Sequence, residues 1–166
     1  MHPVITRAGT GDAGWITAIW NGIIADTLIT FTTTPKTPDE VQAMIDTRPV
    51  IVLPDQAGFA TYGSFRDGPG YAATVEHTIY LAPAIRGQGL GPALMAHMMD
   101  HAANAGHRVM VAGISGANPG AVRFHARLGF AQVGHMAQVG HKAGQWLDLI
   151  LMQKMLNPPD TARGAG

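Results

Sequence analysis

The chain has 166 residues, 46% of them hydrophobic and only 13% charged, a composition that suits one folded domain and excludes disorder as the main state. Lys plus Arg and Asp plus Glu both number 11, so the basic excess of a nucleic-acid binder is missing. The absence of cysteine removes disulfide scaffolds, thiolate zinc sites and cysteine nucleophiles together.

The first seven residues show no basic segment leading into a long apolar stretch, as a signal peptide would. No apolar run approaches the ~20 residues of a membrane span. A cytoplasmic protein without membrane or nucleic-acid partners is expected. So few charges for the apolar content also point to apolar surface covered by another subunit.

Val4 to Arg7 reads as a short strand, and Asp12 as the cap of a helix through Ile24, where Ile16, Ile19, Trp20 and Ile23 recur at helical spacing. Thr37-Pro38-Asp39-Glu40 is a sharp helix start with a capping box, followed by Val41, Met44 and Ile45 as a buried stripe. Val50 to Leu53 and Gly58 to Phe65 form a hairpin about Pro54-Asp55-Gln56, and Tyr71 to Leu81 is a further strand. Ala93 to Ala105 is a helix closed by Gly106. Arg108 to Ala112 is a buried strand, and Asn118-Pro119 opens a helix to Leu128. Phe130 to Val139 and Trp146 to Leu156 are the last strands, joined through His141-Lys142-Ala143-Gly144. Hairpins flanking a strand–helix–strand centre predict one α+β domain over residues 1–156 with a mixed sheet, and a flexible Pro/Gly-rich tail over 157–166.

The most informative stretch is Arg86-Gly87-Gln88-Gly89-Leu90-Gly91, between a strand and the longest predicted helix. Alternate glycines let the backbone curl close to a ligand. The helix that follows offers free N–H groups and a positive dipole end, together a cradle for a diphosphate. The spacing is not the G-x-G-x-x-G of dinucleotide sites, and no Gly-Lys-Ser/Thr of a nucleotide P-loop follows. A flexible turn ahead of a surface helix is the plain alternative. His97 and His101 stand four apart, as metal ligands do, but share a face with Asp100 and Asn104. No third ligand joins them in the pattern, so a solvated face and no metal are expected.

Arg86-x-x-Gly89-x-Gly91 after Thr78-Ile79-Tyr80-Leu81 resembles the coenzyme A loop of the GNAT acetyltransferase superfamily. Asn118 at a helix start, followed by Phe124-His125-Ala126-Arg127-Leu128-Gly129-Phe130, agrees with the second motif of that superfamily. Three further stretches, Thr74 to Leu81, Val109 to Ile114 and Val139 to Leu149, are similar to the branch of phosphinothricin and methionine sulfone/sulfoximine acetyltransferases. Asp26 to Phe31 with Thr37-Pro38 agrees as well.

The resemblance implies the acyl-CoA N-acyltransferase fold, acetyl-CoA as co-substrate, a small amine as acceptor, and a homodimer in which the hairpin at Trp146 helps to close a neighbour's site. It places the cofactor at Ile79, Tyr80 and Leu81, whose N–H groups hold the pantetheine arm, at Arg86, Gly87, Gln88, Gly89, Leu90, Gly91 and Pro92, and at Asn118 and Arg127. Pro92 is unusual after such a loop and removes one donor, in a position that helices tolerate.

Glu76 is the candidate base, and His125 replaces the tyrosine that protonates the departing sulfur in many relatives. With an unperturbed pKa of ~6.5 a histidine suits that part, the opposite part of taking the amine proton, or a packing role. Without a cysteine or a G-x-S-x-G elbow, direct attack in a ternary complex is expected. For the acceptor, Arg66 suits a carboxylate, Phe31 and Tyr71 suit an apolar wall, and Phe65, Lys142 and Glu76 complete the candidate set. The expected activity is acetylation of the α-amine of phosphinothricin, methionine sulfoximine or methionine sulfone. Another small amine, a protein N-terminus and a non-catalytic acyl-CoA sensor are the alternatives.

Overall fold

The computed structural model describes residues 3–157, so all but the first residue of the 157–166 tail lies outside the described residues. In chain order the elements are β1 (Thr6–Arg7), α1 (Ala13–Asp26), α2 (Pro38–Thr47), β2 (Val50–Val52), β3 (Gly58–Ser64), β4 (Thr74–Leu81), α3 (Leu90–Asn104), β5 (Val109–Ser115), α4 (Pro119–Arg127), β6 (Ala131–Lys142) and β7 (Gln145–Met155). The strands form one sheet in the order β1-β2-β3-β4-β5-β7-β6. Among the described residues only β4 and β5 run parallel, with α3 as their crossover; the other neighbours are antiparallel.

Alternation along the strands sorts side chains into two cores. Ile51, Ala60, Val75, Met110 and Ala112 pack with Leu94, Met95 and Met98 of α3 on one face. Val50, Val52 and Phe59 pack with Ile16 of α1 and with Val41 and Ile45 of α2 on the other. Short β2 is therefore buried on both faces, which explains its unbroken Val-Ile-Val run.

The capping box forms as its sequence demands. Thr37 Oγ1 accepts from the Glu40 N–H at 3.2 Å, and Glu40 Oε2 accepts from the Thr37 N–H at 2.7 Å. Asp12 departs from expectation: its carboxylate does not cap α1 but accepts from the Gly9 N–H and Trp15 Nε1, each at 2.8 Å. Strand β4 starts three residues later than predicted, because Pro69–Tyr71 closes a 3₁₀ turn instead of extending. His97, Asp100 and Asn104 are exposed, whereas His101 is half-buried and its Nδ1 lies 2.8 Å from the Tyr62 hydroxyl.

The decisive feature is a parting of strands. The β4–β5 ladder runs only from Thr74–Val109 to Glu76–Val111. Beyond it β4 stays with β3 as far as Leu81–Gly58, while β5 stays with β7 as far as Ser115–Leu149. The two central strands diverge, and a cleft opens between their C-terminal ends.

Candidate active site

The cleft has a volume of about 600 Å³ and is walled by His77 to Leu81 of β4, Ala112 to Ser115 of β5, Asn118, Phe124 and His125 of α4, and Arg86, Gly87 and Gly91 of the glycine loop. Thr27 and Ile29, which follow α1, complete it.

Its floor is unpaired main chain. The Ala82 N–H donates to Ala57 O at 2.9 Å, so strand alternation turns the amide of Tyr80 toward β3 as well. The N–H and C=O groups of Ile79 and Leu81 point the other way, into the cleft, where β5 no longer reaches them. An extended ligand can pair there as an added strand. Tyr80 departs from the expectation for its amide. Its ring packs on Trp20 and Phe59, with centroids 5.8 Å away in each case.

At the mouth, Gly87 and Gly89 adopt φ of +84° and +76°, in the left-handed region that side chains resist. Gly89 is the residue before α3, and no side chain caps the helix. The helix opens at Leu90, three residues earlier than predicted, so Gly91 and Pro92 sit in its first turn. This is a correction with a packing cause: Gly91 is buried, and a Cβ there would come within 3.2 Å of the Phe124 ring. Gly91 thus seats α4 against α3. The amides left at the helix start, with Arg86 beside them, suit a phosphate-bearing ligand.

Two groups flank the point of parting on opposite faces of the sheet. Glu76 reaches over β5, where a Cβ on Gly113 would lie 2.9 Å from Glu76 Oε1. Desolvation by burial pushes its carboxyl above the usual range, the direction a general base requires. On the other face His125, 4% exposed, projects from α4. Its Nδ1 donates to Ala121 O at 2.7 Å, and its Nε2 lies 2.9 Å from His77 Nε2. Desolvation holds the His125 imidazole below its usual pKa.

Residues 23–130 match the model of the Acetyltransferase (GNAT) family. The chain belongs to this family. It is an N-acetyltransferase, and its sheet, open at the β4–β5 split, is the GNAT fold. It is 39% identical to the L-methionine sulfoximine/L-methionine sulfone acetyltransferase of Pseudomonas aeruginosa over 98% of this chain and 99% of that protein. It is 34% identical to the phosphinothricin N-acetyltransferase of Streptomyces coelicolor over 85% of this chain and 89% of that one. The crystal structure of the phosphinothricin acetyltransferase of Sinorhizobium meliloti in complex with acetyl-CoA superposes with a TM-score of 0.89 at 33% identity, covering 94% of this chain and 89% of that one.

Of the residues singled out from this GNAT sequence, Ile79, Tyr80, Leu81, Arg86, Gly87, Gly91, Asn118 and His125 meet at the cleft. Asn118 also caps α4, its side chain accepting from the Ala121 N–H at 3.2 Å. Gln88, Gly89, Leu90 and Pro92 are not among the cleft walls: Gln88 Nε2 is turned to Ala84 O, Gly89 precedes α3, and Leu90 and Pro92 lie in its first turn. Arg127 is exposed at the far end of α4, away from the cleft walls.

The acceptor set is dispersed. Phe65, Tyr71 and Arg66 cluster at the opposite end of the β3–β4 hairpin, with the two rings 6.3 Å apart and the guanidinium 5.5 Å from Phe65. Phe31 packs on Gly140, where a Cβ would lie 2.5 Å from the ring. Lys142 is a correction: it is buried, and its Nζ donates to Ile24 O at 2.7 Å and Thr30 O at 2.9 Å. Its ammonium pins the Thr27–Phe31 segment beside the cleft instead of meeting a ligand.

Three residues were missed by sequence reasoning. Gly113 makes room for Glu76, and His77 meets His125. The Arg48 guanidinium lies 3.1 Å from where a Cβ of Gly63 would stand, and Gly63 is the register partner of Glu76. No local pattern marks any of them; only the pairing of strands brings them to the site.

Proposed function

We propose that this protein is an acetyl-CoA-dependent N-acetyltransferase for the α-amine of a small amino-acid analogue of the methionine sulfoximine, methionine sulfone or phosphinothricin type. The observation that carries this reading is the parting of β4 and β5 immediately after Glu76. It leaves an unpaired strand edge and the imidazoles of His77 and His125 at one opening, with the Glu76 carboxylate at the point of parting over Gly113. The names of the Pseudomonas and Streptomyces relatives support the substrate class.

The residues present fit acetyl-CoA, with amides of Ile79 and Leu81 along its arm and the Arg86–Gly89 loop with the start of α3 at its diphosphate. Glu76 takes a proton from the acceptor ammonium, directly or through water. The amine nitrogen then bonds to the thioester carbon while the Leu81 N–H meets the charge growing on the carbonyl oxygen. As the C–S bond breaks, its electron pair would leave on sulfur, on the side of the sheet occupied by His125, and the surplus proton still on the nitrogen would pass to solvent, leaving an amide and a thiolate. A chain with no cysteine favours this direct transfer. Arg48, whose guanidinium lies beside Gly63, the register partner of Glu76, and Arg66 are the proposed partners of an acceptor carboxylate.

A homodimer is supported by Val133, Met136 and Val139 of edge strand β6 and by Trp146, which expose 47–65% of their surfaces. The experiment for the function is release of free coenzyme A against a panel of amino acids and their oxidised and phosphinic analogues. Turnover of those analogues is expected. Glu76→Gln is expected to retain acetyl-CoA binding while kcat falls by roughly 10²–10⁴-fold. Near-parental turnover by that variant would remove Glu76 from the mechanism. Background release across the whole panel would favour the non-catalytic acyl-CoA sensor.

A further inference from the structure

The pair formed by His77 and His125 holds more chemistry than one candidate histidine. Both line the cleft. Their ring centroids are 5.1 Å apart, and they are 8% and 4% exposed. Three contacts run in series through them. Val111 O lies 3.0 Å from His77 Nδ1, the two Nε2 atoms are 2.9 Å apart, and Ala121 O lies 2.7 Å from His125 Nδ1.

A carbonyl only accepts, so each outer contact requires a hydrogen on Nδ1. A neutral imidazole carries one hydrogen. Two neutral rings therefore spend both hydrogens on Val111 and Ala121, and two bare Nε2 lone pairs face each other at 2.9 Å. Moving either hydrogen to the centre only transfers the lone-pair clash to a carbonyl. Three contacts need three hydrogens, and two neutral rings bring two.

We infer that His77 and His125 work as one unit that binds a single additional proton between their Nε2 atoms, presenting one positive charge at the cleft wall where the thiolate departs. This rests on the acetyltransferase reading above for its role, though not for its existence. The proton comes from solvent and stays with the pair. The charge lowers the energy of the sulfur anion without transfer of a proton to it, in keeping with the engagement of all four ring nitrogens. His77 is thus a positioning residue, fixing the Nε2 of His125 as the proton site.

The surroundings set the count at one. On β4, Glu76 lies on the opposite face of the sheet. Strand β5 offers the Val111 carbonyl, α4 the Ala121 carbonyl, and Phe124 and Phe130 cover the rings. Arg123 and Arg127 of α4 are exposed, and His101 of α3 is held by Tyr62. A second proton is opposed by burial and by the charge already present, which hold His77 down to about 3. Burial also works against the first proton, so the stacked lone pairs must supply its affinity.

The test is a titration of the ligand-free protein, labelled at histidine, followed by ¹⁵N NMR of the ring nitrogens. Both rings are expected to move together with one midpoint and an uptake of one proton, and the hydrogens on both Nδ1 atoms to persist throughout. Separate midpoints overturn the inference, as does a neutral pattern that persists down to acid unfolding. Needing no turnover, this arm fails or succeeds independently of the proposed function.

The kinetic arm uses His77→Asn, whose amide can still donate to Val111 O but offers no second nitrogen. Its kcat is expected to drop by about 10- to 100-fold, below the ~10²–10³-fold cost of a lost direct oxyanion donor. The limb of the pH profile due to the pair should vanish while the KM for acetyl-CoA stays within about twofold. An unchanged pH profile in a folded variant overturns the role.

Discussion

Gly113→Ala isolates the placement of the base from its chemistry. A Cβ at this position would lie 2.9 Å from Glu76 Oε1 and 3.6 Å from Leu149 Cδ1. The second contact is ordinary, whereas the first is shorter than a methyl group allows, so the carboxylate must withdraw by a few tenths of an ångström or rotate away. The Glu76 side chain is free to do so at small cost to folding, and the substituted strand has no positive-φ demand at 113. Stability is therefore expected to change by less than about 1 kcal/mol, in the range of exposed substitutions. Misplacement of a reacting group by ~1 Å can cost 10²-fold. A displacement of a few tenths is expected to lower kcat by roughly tenfold, with the KM for acetyl-CoA nearly unchanged. The assay is steady-state coenzyme A release by the parent, Gly113→Ala, Glu76→Gln and the double variant. If Gly113 acts through Glu76, the double variant is no slower than Glu76→Gln alone. A further tenfold loss in the Glu76→Gln background would refute the reasoning, as would a fully active Gly113→Ala enzyme.

Lys142→Met leaves the carbonyls of Ile24 and Thr30 without their donor; urea denaturation should show a loss of about 1–3 kcal/mol, and the KM for the acceptor should rise because Thr27 and Ile29 lose their anchor. Gly140→Ala places a methyl group into the Phe31 ring, and overpacking of this kind is expected to cost about 1–3 kcal/mol in the same measurement. The raised carboxyl of Glu76 must ionise to act, so the acid limb of kcat/KM should lie above the ordinary carboxylate range and disappear in Glu76→Gln. The sign for stability is the reverse: an ionised, partly desolvated Glu76 weakens the fold as pH rises through its raised pKa. Glu76→Gln should therefore match or exceed the parent in Tm at pH 8 and lose any advantage as the pH falls toward 4.5.

Local patterns determined much of this protein. The Thr37–Glu40 capping box, the buried stripe of α2, the glycine punctuation before α3 and the Asn118-Pro119 start of α4 depend on contacts within a few residues, which the order of side chains dictates. The same holds for the Arg86–Gly91 and Asn118–Phe130 motifs that carried the family resemblance. Tertiary structure alone decided where β4 leaves β5, because strand pairing depends on registers across many residues of chain. That parting frees the amides of Ile79 and Leu81 while Tyr80's remain with β3, sets Glu76 over Gly113, and brings His77 to His125 from 48 residues away. Lys142 shows the limit most plainly. A lysine in a hairpin loop reads as a candidate ligand for the acceptor, yet its partners are carbonyls 118 and 112 positions earlier, and only packing could bring enough of them together to bury an ammonium.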